Sequence, residues 1–237
     1  MSNRIFKFSL TTVTYMIGIF LINSCFSISI IKKPINFNQK RINLTKNYLS
    51  SHYDIFQDNI TISPKMIVIH CTETANFDEA FNYFYPPLLS SDRPELLKRS
   101  PLNVSAHYLV DRDGKIYQLM PNNWMARHVI GLDYLSIGIE NVGCLTNSPL
   151  TKEQIKSNVE LVIHLKKIFP NIKYLIGHYE YGLYRNTPLW KEKDKSYYTY
   201  KEDPGYSFMF FLRKKVENLG LLPRNTITVP KRELGDE

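Results

Sequence analysis

The 237-residue sequence holds only three cysteines, and it contains no internal repeat and no segment that joins a basic block to regularly spaced aromatics. The missing repeat excludes a repeat protein, and a hydrophobic share of 43% excludes an intrinsically disordered chain. The missing basic-aromatic block excludes a nucleic-acid module, so the formal charge of +8 reads as a solvated basic surface. Such a surface draws an anionic polymer or wall only weakly. An uninterrupted apolar run is also lacking. The Thr-rich stretch "SLTTVTY" makes the N-terminal segment poor as a full membrane span of about 20 residues.

What that segment does have is Arg4 and Lys7 ahead of "YMIGIFLI", the layout of a secretory leader over residues 1–25. Export is the consequence, with an uncleaved membrane anchor as the competing reading because apolar character resumes at "FSISII". "LINSC" places Cys25 behind Ser24 and Ile22, a loose lipoprotein cleavage pattern that Asn23 fits badly. Lipidation of Cys25 and ordinary leader cleavage stand side by side. The expected location is periplasmic or cell-envelope associated, with membrane contact only through the leader or a lipid anchor. Cys71 and Cys144 remain for the folded part, and two buried free thiols are the default there.

Residues 26–64 are rich in Asn, Ile, Lys and Ser without a sustained period, which reads as a linker and N-terminal arm in which His52 has no role. The ordered domain is expected over residues 65–222, followed by a charged tail over 223–237. "MIVIH" reads as a buried strand ending on His70. "SAHYLVD", the turn "DRDG" and "KIYQLM" form a hairpin, "SIGIENVG" is a fourth strand, and "IKYLIGH" is a fifth that ends on His178. "TKEQIKSNVELVIHLKKIFP" opens with a capping box, Thr151 and Gln154, and closes at Pro170. Ile155, Val159, Val162, Ile163 and Phe169 share its apolar face, and His164 lies on the solvent side. "YSFMFFLRKKVENLGL" is a final helix stopping at Gly220. The class is α/β, a mixed central sheet flanked by helices.

A histidine at one strand end is by itself more often a satisfied core residue than a ligand. Here two strands end that way, and Asp203 in "KEDPG" adds a carboxylate. Two imidazoles, one carboxylate and an open position make a catalytic zinc site. In an extended segment Lys201 and Asp203 point to the same side.

The motifs "IVIHCTET", "VSAHYLVDRDGKIYQLMP", "ARHVIG", "SIGIENVG", "LIGHYE" and "KEDPG" follow one another in order. Together they resemble the type-2 N-acetylmuramoyl-L-alanine amidases, zinc enzymes related to peptidoglycan recognition proteins and to amidase-type phage lysozymes. The resemblance implies the amidase-like fold, Zn2+ held by His70, His178 and Asp203, and Glu140 and Lys201 as catalytic groups. It implies cleavage of the amide between N-acetylmuramic acid and L-alanine, with peptidoglycan or muropeptides as partner. A non-catalytic peptidoglycan-binding module of the same fold is the alternative. His128 is expected in the substrate groove, and Arg127 and Trp124 against sugar and peptide. His107 is expected as a buried, hydrogen-bonded histidine. The 25 positions from His178 to Asp203 exceed those of compact relatives, so "YGLYRNTPLWKEKDKSYYTY" is expected to shape the groove.

Overall fold

The structure, a computed structural model, describes residues 28–223. The leader, Cys25 and nearly all of the charged tail lie outside the described residues. Six strands form one mixed sheet: β1 (Ile30–Lys32), β2 (Met66–Cys71), β3 (Tyr108–Val110), β4 (Ile116–Gln118), β5 (Ser136–Asn141) and β6 (Tyr174–Gly177). Their order is β1-β4-β3-β5-β2-β6, with only the β3/β4 hairpin antiparallel. Gly114 supplies the positive φ of 86° that the hairpin turn needs.

β2 lies between β5 and β6, so all six of its residues are buried. Alternation still divides them. Ile67 and Ile69, with Ile137 and Ile139 of β5, face Leu161, Val162 and Leu165 of α4 (Lys152–Ile168) and Met209 and Leu212 of α5 (Tyr206–Lys215). Met66 and Val68 face the other way, against Val129, Leu132, Tyr181 and Tyr197. That second face is completed by α2 (Phe77–Phe84), whose Ala80 and Phe84 cover Leu109 and Val142. A short helix, α3 (Pro94–Leu97), follows.

α4 starts at the expected capping box, with both reciprocal bonds of Thr151 and Gln154 formed. One position of its expected apolar face is displaced: Ile163 is 45% exposed, and His164 is half-buried. Ile155, Val159, Leu161, Val162 and Leu165 already fill the stripe, and Ile163 falls past its edge.

Residues 28–64 differ from the linker expected over 26–64. β1 pairs with β4, and α1 (Gln39–Tyr53), capped by the Asn38 side chain, buries Arg41, Thr45, Tyr48, Leu49, His52 and Tyr53. The buried face is made largely of polar and aromatic residues, so no aliphatic period announces the helix. Arg41 donates to the carbonyls of Phe84, Tyr85 and Pro86, which ties α1 to the end of α2. His52, expected to be idle, is buried on the Glu192 carboxylate at 2.9 Å. Cys71 and Cys144 also depart from expectation. They form a disulfide that joins the end of β2 to the loop after β5.

Candidate metal centre and active site

The parallel register of β2 and β5 sets His70 directly beside Glu140, both on the face away from α4 and α5. One strand further out, β6 ends at Gly177 and a 3-10 helix, His178–Tyr184, begins with His178. The Gly177 amide donates to Glu180 at 2.8 Å, and Glu180 is in turn paired with buried Arg213 of α5. Arg213 also donates to the Leu175 carbonyl at 2.9 Å, so the chain reversal that aims His178 is fixed from behind. Asp203 arrives on the segment before α5, its carbonyl accepting from the Tyr179 amide at 3.1 Å.

The three side chains converge. His70 Nδ1 and His178 Nδ1 are 3.0 Å apart, and Asp203 lies 3.2 Å from His178 Nδ1 and 3.4 Å from His70 Nδ1. Among the described residues this is the one group of three whose ligand atoms could share a metal ion. A tetrahedral zinc with bonds of about 2.0–2.2 Å has edges of about 3.3–3.6 Å between ligand atoms, close to the triangle observed. Burial, then His178, holds His70 down at about 4, so it is a neutral ligand at pH 7. Burial acts to raise Asp203, but His178 and His70 outweigh it and keep the carboxyl ionised. Two imidazoles with a carboxylate suit zinc.

Glu140 is buried, and its Oε2 has no hydrogen-bond partner among the described residues. Burial first and the Asp203 charge second push it well above the usual carboxylate range. Lys201, half-buried, lines the same cavity of about 510 Å³ as Glu140 and the three converging side chains. The cavity wall thus carries a potential ligand set, a poised acid and a cation.

The family profile for N-acetylmuramoyl-L-alanine amidase matches residues 57–206, which is more than half of the chain. The chain belongs to that family. All five residues expected to carry metal and chemistry fall within the matched span. Among solved structures, the chain is similar to the amidase LysC from Clostridium intestinale URNW at 21% identity, covering 81% of this chain and 99% of that one, with a TM-score of 0.49. It is similar to a selenomethionine derivative of AmpD at 22% identity, 78% and 93% coverage and a TM-score of 0.48. PGRP-SA of Apis mellifera follows at 19% identity, 68% and 98% coverage and a TM-score of 0.43. No curated protein matches the chain.

The remaining expected residues of this family member are placed as follows. His128 reaches the cavity but turns toward His70, its Nδ1 3.0 Å from His70 Nε2. His107 is buried as expected, accepting from the Gly138 amide and donating to the Trp124 carbonyl. Trp124 does not line the cavity; its ring packs edge-on against Phe37, and its backbone bridges to Thr61. Arg127 is 3% exposed, and its terminal nitrogens are taken by the carbonyls of Leu96, Ser100 and Leu102 and the Tyr197 hydroxyl. It is held in the cavity wall, because carbonyls of α3 and the turn after it, with the Tyr197 hydroxyl, take its four terminal N–H groups, and only Nε is left without a partner among the described residues.

Residues that sequence reasoning missed are those behind the wall. Asp133 accepts from the amides of His128 and Val129 at 2.7 Å and from the Tyr53 hydroxyl at 2.8 Å, which connects α1 to the strip bearing His128. Asn141 donates to the His70 carbonyl at 3.0 Å and accepts from Asn158 of α4. Their only sequence signal is that of polar residues among aliphatics.

Proposed function

We propose that this amidase is zinc-dependent and hydrolyses the amide between N-acetylmuramic acid and L-alanine in peptidoglycan, outside the cytoplasm. The observation that carries the reading is the convergence of His70, His178 and Asp203 in a cavity that also holds Glu140 and Lys201. The leader-like N-terminus supports export, and the family match supports the substrate class. Contact with the membrane is through the leader or a lipid on Cys25.

Bound by the three side chains, zinc supplies Lewis acidity to the scissile carbonyl and to water. Glu140 takes the proton of the attacking water and returns it to the departing amine, a task suited to a carboxyl held above its usual range by burial. Lys201 offers its ammonium to the oxyanion of the tetrahedral intermediate. His128 accepts the Nε2 proton of His70, which leaves Nδ1 as the lone-pair side turned toward His178 and Asp203.

Glu140→Gln separates chemistry from metal binding. The variant is expected to keep near-stoichiometric zinc by metal analysis and to lose about 10²- to 10⁴-fold in release of free peptide from sacculi. Zinc lost along with activity would make Glu140 a ligand, and turnover within a few fold of wild type would assign proton transfer elsewhere.

A further inference from the structure

The cavity that contains the metal triad is lined also by Tyr48, Arg127 and Tyr197. Tyr48 belongs to α1 and lies outside the span matched by the family, and Tyr197 belongs to the long segment between His178 and Asp203. The two elements are pinned to each other by His52 on Glu192 and by Lys193 on Asp54. This part of the cavity is therefore assembled from an element beyond the matched span and from the segment that separates two of the metal-site residues.

Its chemistry is one-sided. Tyr48 is 1% exposed and Arg127 3%, yet the Tyr48 hydroxyl and the Arg127 Nε have no hydrogen-bond partner among the described residues. The other guanidinium nitrogens are committed to carbonyls and to Tyr197, and the Tyr48 ring lies 5.1 Å from the guanidinium carbon. The fork is thus immobilised with one N–H left over. The neighbouring acid, Asp133, is saturated by two amides and Tyr53 and does not consume these donors. Burial holds the Tyr48 hydroxyl protonated, so it too is a donor.

A buried guanidinium N–H and a buried hydroxyl, both without a partner among the described residues, favour an anionic acceptor. An amide would give up the charge-assisted bond to the guanidinium that a carboxylate makes. We propose that Tyr48 and Arg127 form an inner subsite that receives a carboxylate of the stem peptide whose amide bond is cut at the metal triad. The inference rests on the proposed peptidoglycan amidase function and adds the part of the substrate that is read.

The test is equilibrium binding by calorimetry. The ligands are N-acetylmuramoyl-L-alanyl-D-glutamyl peptides in which each carboxylate in turn is free or amidated. The proteins are Glu140→Gln, which slows turnover, and Glu140→Gln/Tyr48→Phe, which keeps the ring over Arg127 and removes only the hydroxyl. Binding of one acid form to Glu140→Gln is expected to be about 10- to 100-fold tighter than that of its amide, the range for a hydrogen bond to a charged group. Tyr48→Phe is expected to erase about tenfold of that preference and to leave the amide's affinity unchanged. Equal affinities of every acid and amide in Glu140→Gln overturn the subsite without recourse to the second variant. A preference that survives Tyr48→Phe intact also overturns it, since Tyr48 then takes no part in the contact. Wild-type protein that shows the acid preference but cuts none of these peptides would overturn the proposed activity and leave the subsite standing.

Discussion

Replacing Gly138 with alanine adds a single methyl group, and the structure says where it goes. A Cβ at this β5 position would stand 2.8 Å from His128 Cγ and 2.9 Å from Cδ2 and Nδ1, where ordinary contact begins at 3.4 Å. The imidazole must give way by about 0.6 Å, a displacement typical of overpacked sites. Taken along the line to His70, that shift stretches the 3.0 Å contact to about 3.6 Å, beyond hydrogen bonding. Two magnitudes follow. Overpacking costs about 1–3 kcal/mol, which lowers the melting temperature of a domain this size by about 2–12 °C. Loss of the partner that orients a metal-ligating histidine weakens zinc binding by about 10- to 100-fold. Calorimetric melting of the zinc-free protein reads the first, and competition against a zinc chelator reads the second. A variant with wild-type zinc affinity would refute the role given to His128, and an unshifted melt would refute the close approach itself.

Arg213→Met strands the buried Glu180 carboxylate and is expected to cost about 3–5 kcal/mol by denaturant titration, most of it recovered in the Arg213→Met/Glu180→Met double variant; additive losses would show that the two do not act as a pair. Reducing the Cys71–Cys144 bond, or changing both to Ser, opens a loop of sequence separation 73 and is expected to lower stability by about 4 kcal/mol, so a denaturation midpoint insensitive to reductant would contradict the link. Acidification tests the buried histidines of the zinc-free protein. His70 and His107 are held at about 4 and His128 well below its ordinary value, burial leading in each case, so stability is lost as pH falls from about 6.5 toward 4. Asp133, lifted to about 7, and Glu140, pushed well above the usual carboxylate range, both chiefly by burial, gain over the same window, and three against two leaves a net loss of up to about 1.4 kcal/mol per pH unit; stability that is flat or rising between pH 6 and pH 5 would refute the sign.

The sequence alone determined the parts whose signal is local. Five of the six strands were legible because runs such as Met66–Ile69 and Leu175–Ile176 are apolar and bounded by turns, and α4 was legible because a capping box is a four-residue pattern. His70, His178 and Glu140 were legible as polar residues at strand ends and Asp203 as the carboxylate of "KEDPG", all in ordered motifs, a pattern that needs only chain order. The tertiary structure decided whatever depends on a partner far along the chain. β1 has three residues and exists only because β4 lies beside it, and α1 buries polar and aromatic groups whose partners, Glu192, Asp133 and Pro86, come 45 or more positions later. Cys71 and Cys144 were two thiols until the β2/β5 register brought their Cα atoms within 6.0 Å. Arg127 and Trp124 had the composition of a groove; folding turned Trp124 to packing against Phe37 and fixed Arg127 in the cavity wall, where carbonyls and Tyr197 hold its terminal nitrogens and leave Nε alone. The joining of Tyr48, Arg127 and Tyr197 in one cavity has no local signal, since each comes from a different element and only packing makes them neighbours.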